Sequence, residues 1–153
     1  MDEQNRRSSV EQQKVEVMRN LLALMIDNAE TPDRREAAKH SLRRIGDVSI
    51  VGSLAQVIEE SNSEAAVSDA TEILGFLPAT ANIRTSLIRL LWHESPDVRR
   101  AAMQSLARIG NKEVASVLAV IISDSKDPAT IFDVTDGNFA KQVRSRILRR
   151  SLN

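Results

Sequence analysis

The residues of this chain that could do chemistry are few and badly placed for it. His40 and His93 are its only imidazoles; they stand 53 residues apart, without HExxH spacing. There is no cysteine, which excludes a thiolate nucleophile, a disulfide framework and a thiolate-ligated zinc. Glu59 and Glu60 are neighbours, so on a helix they point about 100° apart instead of facing each other across a substrate. The segment DVTDGN, residues 133 to 138, has a faint likeness to calcium-loop spacing. It lacks the full ligand series and the closing glutamate, and its Asp136-Gly137 step reads as a turn. No GxSxG turn or glycine-rich phosphate loop is present, and most serines and aspartates fall at caps or on polar helix faces. The sequence thus specifies no catalytic residue, no metal site and no cofactor, and non-covalent binding is the economical function.

What would position a binding surface is a repeat. The segment TPDRREAAKHSLRRIG at 31 to 46 returns 64 residues later as SPDVRRAAMQSLARIG at 95 to 110. Thr31 and Ser95 fall where an N-cap accepts an orphan amide, Pro32 and Pro96 follow at the first helical position, and Asp33 and Asp97 bring negative charge to the positive helix end. The stripes Ala38, Leu42, Ile45 and Ala102, Leu106, Ile109 have the four-then-three spacing of one helical face. Gly46 and Gly110 are placed to turn left-handed after the last turn.

A second helix follows each copy, with stripes Ile50, Leu54, Val57, Ile58 and Val114, Leu118, Ile121, Ile122. Between them a degenerate copy offers Ala70, Leu74, Leu77 and then Ile83, Leu87, Leu90, Leu91, completing a period of about 32 residues. Residues 10 to 29, with Met18, Leu22, Met25 and Ile26, and a short closing helix with Phe139, Val143 and Ile147 read as caps. A helical pair cannot bury its apolar side alone, so successive pairs stack. The expected fold is an all-α superhelix, a solenoid of about three full helical pairs with terminal capping helices. It forms one domain over 1–153, with a disordered start at 1–9 and an insertion loop at 127–138.

The stretch PDVRRAAMQSLARIGNKEVASVLAVI resembles the HEAT-like repeat first associated with phycobilisome linker-pigment lyases, and the likeness runs over 31–126. In that family a helix-terminal Asp and a nearby Arg tie adjacent units. Asp33 with Arg35 and Asp97 with Arg99 match those places, whereas Val67 stands at the arginine position of the middle unit. The resemblance implies the architecture, and leaves adaptor, enzyme regulator, and bilin lyase or its accessory subunit as alternatives.

Lys plus Arg and Asp plus Glu both number 21, which argues against a generic polyanion binder. The charge is nevertheless uneven: residues 139–153 carry Lys141, Arg144, Arg146, Arg149 and Arg150 and no acid, so weak binding to nucleic acid or to an acidic surface is a further alternative, with nucleic acid disfavoured. No apolar run reaches the roughly 20 residues of a membrane span, and the chain reads as cytoplasmic.

Aligning the second helices places Ser53, Ser86 and Val117 at one position, Gln56, Arg89 and Val120 at the next, and Glu59, Trp92 and Ser123 at a third, all off the core stripe. The expected partner-binding residues are Arg89, Trp92, His93, Val117 and Val120, and the expected partner is another protein, since Trp and Arg are effective interface anchors. The competing structural role has Trp92 packing on the next repeat and the valines lying beneath the 127–138 connection. Leu21 and Leu24 on the N-terminal helix, as a site of self-association, and Arg146, Arg149 and Arg150 form the expected secondary interface.

Overall fold

The computed structural model describes residues 2–152. Among them are eight α-helices: α1 (Glu3–Ile26), α2 (Pro32–Ile45), α3 (Val51–Glu60), α4 (Glu64–Leu74), α5 (Ala81–Leu90), α6 (Pro96–Ile109), α7 (Lys112–Asp124) and α8 (Val134–Ser151), with one 3-10 turn at Val48–Ile50 and no strand. The all-α repeat architecture matches the expectation, with α1 and α8 as the capping helices.

The two matching segments build their helices differently. In α2, Thr31 Oγ1 accepts the Arg34 amide at 3.3 Å and Pro32 opens the helix, as expected of that sequence. In α6, Ser95 makes no side-chain cap. Its hydroxyl is buried without a partner, and its amide instead donates to His93 Nδ1 at 3.0 Å. The helix ends diverge too. Gly46 takes the left-handed conformation (φ 57°), whereas Gly110 is extended (φ −71°, ψ 159°). Gly110 is required for another reason: a Cβ there would overlap the Leu106 carbonyl oxygen and lie 2.7 Å from Ile147 Cδ1 of α8.

Two layers result. The first helices α2, α4, α6 and α8 form one, the second helices α3, α5 and α7 continue from α1 in the other, and the closest pairs are α1/α2, α3/α4, α5/α6 and α7/α8. Each second helix therefore packs most closely on the first helix of the following unit and not on its own. One continuous core runs between the layers, with Leu54, Leu74, Leu87, Leu91, Leu106, Leu118 and Ile147 among its fully buried side chains. Each contributes about 1.5–3 kcal/mol by leaving water. Packing is uneven along the stack: α4/α6 and α6/α8 are in broad contact, α2/α4 in slight contact, and α3 and α5 barely touch.

Three expectations about the flanks change. Residues 3–9, expected to be disordered, are the first turns of α1, and core burial on that helix begins at Met18. Leu21 and Leu24 are half-buried against the core, whereas Ile26, expected in the core stripe with Met18, Leu22 and Met25, is exposed at the end of the helix. The apolar residues left exposed on its outer turns are Val10, Val15 and Val17. The insertion is also shorter than 127–138, because helix resumes at Val134. Asp133 Oδ1 accepts the Asp136 amide at 2.7 Å while Asp136 Oδ2 accepts the Asp133 amide at 3.1 Å, a capping box where the sequence suggested only a turn.

Candidate functional site

The second-helix row is open to solvent as its phase demands. Ser53 and Gln56 on α3, Ser86 and Arg89 on α5, and Val120 on α7 are all exposed or partly so, Val120 by 51%. Val117 is half-buried against the core, so of the two valines only Val120 is presented. Because α3 and α5 splay apart, a cleft of about 190 Å³ opens between them. Val51, Ala55, Ile58, Ile83 and Leu90 wall it, Leu74 of α4 also lines it, and Glu59, Ser86 and Arg89 supply its polar groups. Ile58, Ile83 and Leu90 were legible as stripe residues; that their helices separate and leave a cleft was not.

Trp92 and His93 lie just beyond α5, in the turn to α6. Trp92 remains 43% exposed, with its ring packed edge-on against Phe132 of the insertion at 5.8 Å between centroids. One side of the ring is thus structural, and the rest faces solvent. His93 is half-buried and accepts the Ser95 amide.

Beneath this turn lies Arg99, 3% exposed. Its Nη1 donates to the His93 and Glu94 carbonyls at 2.9 and 3.0 Å, and its Nη2 donates to Asp136 Oδ2 at 2.9 Å and, at the limit of bonding, to the Ile131 carbonyl at 3.5 Å. Of the pair expected to tie adjacent units, Asp97 is exposed and makes no ion pair among the described residues, whereas Arg99 does bind the next unit, through the fully buried Asp136 of α8. Asp33 and Arg35 likewise form no ion pair among the described residues, and Arg35 Nε is buried without a partner. Sequence reasoning missed Arg99–Asp136 as the main polar tie. Its signal was the Asp-x-x-Asp spacing of the capping box.

On the first-helix layer, charge bridges the thin α2/α4 seam. Lys39 reaches Glu36 at 2.9 Å, Glu72 at 3.2 Å and Asp69 at 3.3 Å, and Arg43 reaches Glu72 at 3.2 Å. Burial alone would push the Lys39 ammonium down, but its bond to Glu36 and the charges of Asp69 and Glu72 outweigh it and hold the value above the usual lysine range. Asp69 is pushed up, because its own burial exceeds the help from Lys39, whose charge is shared among three acids. Arg43 and Arg108 stack on Phe76 at 3.9 and 3.8 Å from the ring centre; two guanidinium groups that close must occupy opposite faces. Burial lowers the Arg108 value, with Glu72 partly opposing.

The basic C-terminal helix is sorted by its bonds. Arg150 caps α6, donating to the Ala107, Arg108 and Gly110 carbonyls; Arg144 donates to the Ala115 carbonyl, and Arg149 to the Ser145 carbonyl of its own helix. Arg146 is exposed and bonds to nothing among the described residues. No cluster of three or more metal-ligating side chains occurs among the described residues, and no helix there is long and apolar enough to cross a membrane.

Compared with known proteins, residues 53–134, more than half of the chain, match the family described as HEAT repeats. No curated protein matches the chain.

Proposed function

Because the chain belongs to the HEAT-repeat family, we propose that it is a non-catalytic protein-binding scaffold, an adaptor or regulator, that holds its partner on the second-helix face. The observation that carries this reading is the α3–α5 cleft: apolar walls, a mixed-charge rim of Glu59 and Arg89, and an exposed row continuing to Val120. Such a cleft suits the apolar side of a partner's amphipathic helix, with a carboxylate on that helix meeting Arg89. Trp92 adds exposed aromatic area at the end of the same helix layer.

An untargeted pull-down with the whole chain, followed by variants, tests it. Arg89→Ala should weaken the captured partner by about tenfold with helicity unchanged, since Arg89 makes no internal bond among the described residues. Ser86→Glu should weaken it as well by placing charge in the cleft. Unchanged affinity in both variants would remove the cleft from the interface. The lyase alternative draws nothing from this site, where His93 Nδ1 and one side of Trp92 are engaged in holding the α5–α6 turn.

A further inference from the structure

We propose that the groove between α6 and α8, on the first-helix layer away from the cleft above, docks an acidic peptide segment of a partner protein. The groove, about 320 Å³, is lined by Gln104, Ala107 and Arg108 of α6 and by Phe139, Gln142, Val143 and Arg146 of α8. Two arginines and two amides stand over a floor of small and apolar side chains, and no acid lines it. Of the cations at this end, Arg144, Arg149 and Arg150 donate to backbone carbonyls, while Lys141 and Arg146 make no bond among the described residues; of those two only Arg146 lines the groove, where it faces Arg108. Gln104, Gln142 and Arg146 have no hydrogen-bond partner among the described residues. Arg108 is held in place by Phe76 and by the Gly75 carbonyl, so one guanidinium is ordered before anything binds.

Charge complementarity selects the occupant. The neighbouring groove, between α4 and α6, is lined by Glu64, Asp69, Glu72 and Asp97 against a single Arg100, and it shares Gln104 with the basic one. A long polyphosphate laid across α6 would meet those carboxylates. A short segment with carboxylates flanking an apolar residue fits between Arg108 and Arg146, with the apolar side chain towards Phe139 and Val143.

The test titrates the whole chain with a labelled peptide of alternating glutamate and leucine, and with a single-stranded oligonucleotide of equal charge. The peptide should bind saturably and more tightly than the oligonucleotide, and added salt should weaken it. Arg146→Glu should lose about tenfold or more, whereas Arg149→Ala and Arg89→Ala should stay within about twofold. Melting should be unchanged in Arg146→Glu, whose side chain holds nothing in the described fold. Failure of the peptide to bind would overturn the proposal. So would equal losses in Arg146→Glu and Arg149→Ala, or an oligonucleotide that binds more tightly than the peptide. None of these outcomes bears on the second-helix cleft, which the Arg89 variant tests separately.

Discussion

Helices α2 and α6 come from nearly the same sequence and hold their neighbours by different physics. In α2 the buried face is small, with Ala38 and Leu42 the only fully covered apolar residues, and the seam to α4 is spanned by the partly buried Lys39 and Arg43 and their acids. In α6, Val98, Ala102, Met103 and Leu106 are all fully buried, and Arg99 lies inside with Asp136. Equivalent arginines, Arg35 and Arg99, thus have opposite fates. The difference comes from the helix packed next to each: α8 brings Asp136 to Arg99, while the start of α4 is Glu64-Ala65-Ala66-Val67 and offers Arg35 no carboxylate at the matching depth. A repeat motif proposes a bond, and only the next unit can complete it.

Substitution at the two arginines tests this most severely. Arg99→Ala should destabilise the chain by about 3–5 kcal/mol in urea unfolding, because it leaves Asp136 buried and unpaired along with two loop carbonyls. Arg35→Ala should cost about 1 kcal/mol or less. Equal costs would erase the distinction. The double variant Arg99→Met with Asp136→Leu should recover part of the loss, with a remainder of about 1–3 kcal/mol from the unbonded His93 and Glu94 carbonyls and the uncapped Asp133 amide.

The helix ends give a smaller contrast. Gly110→Ala should cost about 2–3 kcal/mol by forcing the Leu106 carbonyl and Ile147 apart, and Gly46→Ala about 1–2 kcal/mol, the penalty of a left-handed non-glycine residue. A reversed order would mean that α8 yields more easily than its packing implies.

The smallest effects belong to the half-buried pair that Lys14, midway along α1, forms with Asp47. Lys14 bonds Asp47 at 2.5 Å, and that bond, with help from the Ser49 amide, lowers the Asp47 carboxyl from 3.8 to about 2. A depressed folded value stabilises the native state above the unfolded one and ceases to do so as pH falls through the folded one. Protection of the amides in the outer turns of α1, taken relative to their intrinsic exchange, should therefore fall as pH drops from the unfolded value to the folded one, and Asp47→Asn should show the reduced protection already at neutral pH. No change in that window would separate the pair from helix order.

Much of this was legible in the sequence, and the reasons for the failures are specific. Caps, stripes and the 64-residue interval are local or periodic, so the helices and their stacking followed. The exposed row of Gln56, Arg89 and Val120 followed from phase alone. Asp136 was misread because its glycine neighbour suggested a turn, whereas two carboxylates three residues apart were already sufficient for a capping box. The partial burial of Leu21 and Leu24 was not legible, because α1 has two apolar phases and local pattern does not say how far the body extends along them. The Arg150 bonds to α6 span some 40 residues of chain and belong to tertiary geometry.

The slight contact between α2 and α4 has a mechanical consequence. A chain held at both ends and pulled would part first along that seam, peeling α1 and α2 away as one piece while α4 to α8 stayed whole. The protein would behave as a stack with one built-in tear line instead of a uniform rod, and because the ion pairs that bridge the seam are partly buried, concentrated salt should lower the force only slightly.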